Sequence, residues 1–294
     1  MDKVNIAWIG TGIMGAPMCA HLIAAGMQVV VHNRTREKAE PLLDLGARWA
    51  DTPAEAVQGV AVVFTMLGYP DDVERIYFGT PEMPGILDTV ARTTVCIDMT
   101  TSSPELAERI AAYGSAKEIF CLDAPVSGGE TGAQNAQLAI MVGGNHSTFA
   151  QVRSLLRWLG PDPQRMGPAG CGQHAKMANQ ILIASTMLGV VEALEYARSK
   201  RLPLELLVPL LGQGAAGSWS WNNLAPKISS GDYAPGFYTH HFLKDLKIAL
   251  DEASRSGLSL PGLTQAAQLY ERAVQLGFGN SGTQALAKVY TTVN

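Results

Sequence analysis

Through the first half of the chain, short apolar runs alternate with segments in which apolar residues recur every three or four positions. The apolar runs at 4–9, 28–32, 60–66, 95–98, 119–123 and 138–142 read as strands. Between them, 16–25, 36–45 and 104–112 carry helical spacing. This alternation predicts a doubly wound parallel sheet with right-handed crossovers. The texture changes at Gly160-Pro161-Asp162-Pro163. Beyond it strand-like runs disappear, and 173–200 reads as one proline-free helix, about 40 Å long at 1.5 Å per residue. Shorter helices are expected at 203–211, 221–228, 242–256 and 261–276. The expected plan is an α/β domain over 1–163, then an all-helical domain over 164–294.

The first strand ends in a glycine turn, Gly10-Thr11-Gly12-Ile13-Met14-Gly15, and a helical pattern begins at once. That order of strand, turn and helix N-terminus suits a dinucleotide pyrophosphate, and the sheet is read as a Rossmann fold. Gly10 permits the tight turn, Gly12 a close approach of backbone to phosphate, and Gly15 close packing of the helix. The helix N-terminus then supplies N–H donors and positive potential.

Composition narrows the partners. With 22 Lys and Arg against 26 Asp and Glu, the net charge of −4 gives no support to nucleic-acid or anionic-membrane binding. No window holds eighteen uninterrupted apolar residues, and Met1-Asp2-Lys3 leads straight into the first strand, so neither a membrane span nor a signal peptide is expected. Cys19, Cys96, Cys121 and Cys171 form no CxxC pair, and no histidine lies at metal-ligand spacing from them. Reduced, mostly buried thiols in a cytoplasmic protein and no metal site are the expectation.

The end of the second strand meets the adenosine ribose in this fold, and an acidic residue there would suit NAD. Asn33 occupies that position, followed by Arg34, Thr35 and Arg36. Guanidinium and hydroxyl donors suit the 2′-phosphate of NADP, which is favoured over NAD. The competing reading is a polar loop with solvated arginines.

Four further motifs follow in order. They are Asp98-Met99-Thr100-Thr101-Ser102-Ser103-Pro104, Asp123-Ala124-Pro125-Val126-Ser127-Gly128-Gly129, the stretch from Gly167 through Gly170-Cys171-Gly172-Gln173 to Lys176 and Asn179, and Leu243-Lys244-Asp245-Leu246. With Met14-Gly15-Ala16-Pro17-Met18 they resemble the β-hydroxyacid dehydrogenase family, which includes 3-hydroxyisobutyrate dehydrogenase, tartronate semialdehyde reductase and glyoxylate/succinic semialdehyde reductases. The resemblance spans roughly residues 4 to 246 and implies an oxidoreductase interconverting a small 3-hydroxy acid and its semialdehyde.

Lys176 follows a glycine-rich turn and enters an apolar helix, with Asn179 three residues on along the same face. A partly desolvated lysine suits proton transfer, and the resemblance assigns Lys176 the role of general acid/base. Against this stands a lysine snorkelling to water. Asn179 would orient the substrate oxygen. Ser127, Gly128 and Gly129 follow a strand at the carboxyl edge of the sheet, where freed N–H groups and a hydroxyl can hold a carboxylate. Met66 and Leu67 end the third strand and are placed against the cofactor, and the family's contact near the nicotinamide ribose matches Thr101 best. By resemblance Lys244 reaches cofactor or substrate; on composition alone it is a solvated pair with Asp245. The aromatics at 219–221 and 237–242 either wall a substrate pocket or serve packing. A homodimer or homotetramer is expected by resemblance. Two other readings compete. Imine reductases share the cofactor motif but generally lack the lysine. A nucleotide-binding scaffold without chemistry would have lost it too.

Overall fold

In β1 (Asn5–Ile9) consecutive residues go to different cores: Ile6 and Trp8 pack into one apolar cluster, Ala7 and Ile9 into another. A strand buried on both faces has no polar side, which is why 6–9 reads as an unbroken apolar run. The computed structural model describes residues 4–291. It divides into two compact units, the first ending at Lys176 and the second beginning at Met177.

The first unit is built on β1, β2 (Gln28–His32), β3 (Arg48–Trp49), β4 (Val62–Thr65), β7 (Val95–Asp98), β8 (Phe120–Asp123), β9 (Val126–Ser127), β10 (Ala139–Gly144) and β11 (Gln164–Gly167), with a separate hairpin of β5 (Gly79–Thr80) and β6 (Met83–Pro84). The order across the sheet is β11-β10-β8-β7-β4-β1-β2-β3, with β9 paired to β10. The helices Gly15–Ala24 and His146–Leu156 contribute Met18, Leu22, Phe149 and Val152 to the core on one face. The helices Pro70–Phe78 and Pro104–Ala116 contribute Val73, Tyr77, Leu106 and Ile110 to the other.

Two features depart from the sequence expectation. The sheet is parallel from β3 to β8, but β10 runs antiparallel to β8. Between them lie only β9 and the six-residue helix Gly129–Gln134, and β9 pairs back on β10, so the chain doubles back rather than crossing over. The sheet also takes in β11, which lies beyond residue 163 and pairs parallel with β10. Its residues, Gln-Arg-Met-Gly, form a partly exposed edge strand that buries too little to need an apolar run.

The second unit is helical. The helix Cys171–Ser199 carries no proline and runs about 43 Å over its 29 residues. By length and composition it is apolar enough to cross a membrane, with a window of mean hydropathy 1.4. Within the unit, Ala184, Met187, Val190, Val191 and Leu194 along it enter a core shared with Trp221, Phe242, Leu246 and Tyr270. The helices Leu204–Gly212, Trp219–Ser230, Thr239–Arg255 and Pro261–Ala273 complete that core, with a π-helical turn at Val274–Phe278.

Candidate active site

The three turn glycines differ in what they are for. Gly10 has φ of 101°, and a Cβ there would lie 2.2 Å from the Met66 carbonyl oxygen. A Cβ on Gly15 would lie 2.0 Å from the Gly10 carbonyl oxygen, so the helix sits directly against the turn. At Gly12 a Cβ would meet nothing within 4 Å. The neighbouring Thr11 is 2% exposed, and its Oγ1 has no hydrogen-bond partner among the described residues. The helix Gly15–Ala24 begins without a side-chain cap. An open cradle, a buried hydroxyl and an uncapped helix start together fit a pyrophosphate.

Asn33 is committed within the protein. Its Oδ1 accepts from the Thr11 N–H at 3.0 Å and its Nδ2 donates to the Thr35 carbonyl at 2.7 Å, which ties the glycine turn to the loop after β2. Arg34, Thr35 and Arg36 are all exposed, and the Arg36 guanidinium stacks 5.3 Å from the centre of the Trp49 ring. All three are accessible donors of this loop. Met66 and Leu67 are half-buried; the Met66 N–H donates to Ile9 and the Leu67 N–H to Thr100 Oγ1. That bond turns Thr100 inward, 1% exposed, and leaves Thr101 half-buried beside it.

Two aspartates close neighbouring strands in register, Asp98 on β7 and Asp123 on β8. Asp98 accepts from Thr65 Oγ1 at 2.8 Å and from the Thr100 N–H at 3.1 Å. Burial pushes its carboxyl up from an ordinary 3.8 to about 6, against the pull of those hydrogen bonds. Asp123 accepts from the Gly170 N–H and the Gln173 N–H, both at 2.9 Å, and so caps the start of the long helix. Its carboxyl too is raised by burial, although backbone N–H groups oppose the shift. Cβ atoms on Gly143 or Gly172 would lie 2.7 Å or less from its carboxylate oxygens, so the carboxylate is tightly enclosed.

Lys176 lies on the capped end of that helix, 6% exposed, with Nζ donating to the Val126 carbonyl at 2.8 Å. The ammonium is therefore held, not snorkelling. Val126 directly precedes Ser127-Gly128-Gly129, where φ is 138° at Gly128 and 62° at Gly129. Ser127 and Gly129 are half-buried and Gly128 is exposed. The structure thus brings Lys176 to the backbone beside the Ser-Gly-Gly turn. Sequence reasoning assigned no role to Asp123 or Gln173, although both stand in quoted motifs.

Within the second unit, four polar residues form a chain. Asn179 Nδ2 donates to Gln180 Oε1 at 2.7 Å, Gln180 Nε2 donates to Asp245 Oδ2 at 2.6 Å, and Lys244 Nζ lies 3.0 Å from Asp245 Oδ1. Asp245 is 1% exposed and the Lys244 side chain 13%, so the pair is not a solvated surface bridge. Gln180, also 1% exposed, is the link that the sequence did not single out. Among the aromatics, Trp221 and Phe242 belong to the core: Trp221 Nε1 donates to Val208 and Phe242 meets Tyr270 edge to face. Trp219 is exposed, and Phe237, Tyr238, His240 and His241 form a half-buried ring cluster. Cys19 and Cys96 are buried free thiols, Cys121 and Cys171 half-buried ones. No group of three metal-ligating side chains occurs among the described residues.

Residues 5–167 match the NAD-binding domain of 6-phosphogluconate dehydrogenase, and residues 170–290 match the NAD-binding domain of NADP-dependent 3-hydroxyisobutyrate dehydrogenase. A probable mitochondrial 3-hydroxyisobutyrate dehydrogenase-like protein of Arabidopsis thaliana is 47% identical over 293 residues, covering 100% of this chain and 87% of its own. The solved structure of Mycobacterium tuberculosis 3-hydroxyisobutyrate dehydrogenase with L-serine superposes with a TM-score of 0.89 at 30% identity, over 98% of this chain and 99% of that one. An imine reductase from Pseudomonas shares the fold alone, with a TM-score of 0.64 and 18% identity over 98% of this chain and 100% of that one. An uncapped glycine turn on a Rossmann-like sheet, a helical second unit and full-length likeness agree: the chain belongs to the 3-hydroxyisobutyrate dehydrogenase family of NAD(P)-dependent oxidoreductases.

Proposed function

We propose that this oxidoreductase interconverts a small 3-hydroxy acid and its semialdehyde, with NADP preferred over NAD and Lys176 as the general acid/base. The observation that carries the reading is the Lys176 ammonium, 6% exposed and held 2.8 Å from the Val126 carbonyl beside the Ser127-Gly128-Gly129 turn. A bound nicotinamide dinucleotide would supply or accept the hydride at the carbonyl carbon. The turn residues Gly10, Thr11, Gly12, Ile13, Met14 and Gly15 hold the pyrophosphate. Arg34 and Thr35 meet the 2′-phosphate, on a loop that Asn33 braces. Met66, Leu67 and Thr101 contact the rest of the cofactor. Ser127, Gly128 and Gly129 bind the substrate carboxylate, and Lys244 contacts cofactor or substrate. In reduction Nζ of Lys176 gives its proton to the carbonyl oxygen, and in oxidation it receives the hydroxyl proton. Asn179 orients that oxygen.

The test is a panel of 3-hydroxy acids and semialdehydes assayed with NADPH and NADH, in parent and Lys176→Ala. The parent is expected to turn over faster with NADPH. Lys176→Ala is expected to lose about 10²–10⁴-fold in turnover, the usual worth of a positioned proton donor, with NADPH affinity nearly intact. Unchanged turnover overturns the assignment.

A further inference from the structure

We propose that Gln173 is a positioning residue whose buried carboxamide locks the helix carrying Lys176 to the strand-end segment carrying Thr101. Gln173 is fully buried. Its Oε1 accepts from the Ser102 N–H at 3.0 Å and its Nε2 donates to the Thr100 carbonyl at 2.8 Å. These are the backbone groups on either side of Thr101, so the side-chain amide pairs around that residue as a neighbouring strand would. Its own backbone N–H is held by Asp123 at 2.9 Å. Lys176 follows three residues on, on the same helix face, with its Nζ on the Val126 carbonyl. One side chain thereby fixes the acid/base to the segment placed against the cofactor.

An amide of this length supplies one acceptor and one donor side by side. An apolar residue would fill the volume but would leave a buried N–H and a buried C=O unpaired. The inference rests on the reading of Lys176 as the acid/base. A protonated Glu at this position reproduces the amide pattern, with O–H donating to Thr100 and C=O accepting from Ser102. An ionised one has no donor and faces the Thr100 carbonyl with its charge. Charged groups around this point include Asp98 at the end of β7, Asp123 at the end of β8 and Lys176 on the helix itself. All three are common to parent and variant, so the ratio of their turnover numbers at each pH isolates position 173.

The experiment compares Gln173→Glu, Gln173→Met and Lys176→Ala with the parent. At about pH 8, Gln173→Glu is expected to lose about 10²-fold in kcat, the cost of a small misplacement of reacting groups, with NADPH affinity within about threefold of the parent. Its ratio to the parent should recover at least about tenfold as pH falls to about 5 and the carboxyl protonates. Gln173→Met should lose kcat at every pH without recovery; should it fail to fold, the pH response of Gln173→Glu decides alone. If Gln173→Glu keeps kcat within about threefold at high pH, or its ratio is flat with pH, while Lys176→Ala is inactive, the inference falls and the reading of Lys176 stands. If Lys176→Ala is fully active, the reading beneath it falls instead.

Discussion

Asp123 in the first unit and Asp245 in the second are both buried acids that organise a candidate site, but they hold different things. Asp123 grips two backbone N–H groups at the start of a helix. Asp245 grips the side chains of Gln180 and Lys244. A backbone donor has its direction fixed by the fold, so losing its acceptor strands a buried N–H in place. A side-chain donor can turn toward other partners or toward water. The first acid should therefore matter most to stability, and the second to the orientation of the groups it holds.

The sharpest test is Asp123→Ala. Two stranded donors in a closed site should lower unfolding free energy by about 3 kcal/mol or more, read as a shift of the urea midpoint at unchanged slope. A loss smaller than that of the corresponding change at Asp245 would break the comparison.

Asp98 extends the test to a second acid of the same unit. Because its carboxyl is raised from 3.8 to about 6, the folded chain binds this proton more tightly than the unfolded chain does. Its contribution to stability is present below about pH 4 and is lost as pH rises to about 6. Asp98→Asn keeps an acceptor for Thr65 and Thr100 and removes the ionisation. It should match the parent near pH 4 and exceed it by up to about 3 kcal/mol at pH 7, the worth of about two pH units, in urea unfolding at both pH values.

The smallest effect is expected at Asp245→Asn. An Asn there cannot accept from both Gln180 and Lys244, because one of its two polar groups is itself a donor. Substrate KM should rise about tenfold, which is about 1.4 kcal/mol. Unfolding free energy should move by less than about 1 kcal/mol. A large stability loss with unchanged KM would show that the second unit uses its acid as the first does.

The same contrast explains what was legible in the chain. The glycine turn, the strands buried on both faces and the long helix each leave a local signature of apolar runs, special backbone or helical spacing. The reversed β10 does not, since an apolar run looks the same read in either direction. The polar edge strand β11 leaves no apolar run at all. In the site, Lys176, Asn179 and Lys244 were found as residue types in recognisable motifs. Asp123 and Gln173 stand in the same motifs, but their partners are backbone groups 47 to 73 residues away. Any residue can supply such a partner, so no side-chain pattern announces it. Gln180 was hidden for another reason: on a helix it reads as one more polar position, until Asp245 is folded against it.

Gly12 carries a consequence for how such chains diverge. Its companions Gly10 and Gly15 are held by the fold itself, because a methyl group on either would strike a carbonyl oxygen. Gly12 has room for a methyl group and answers only to what the turn receives. A lineage released from cofactor binding could lose this one glycine and still fold, keeping the other two. In descendants of this chain, glycines at 10 and 15 would record ancestry, and the residue at 12 would record present use.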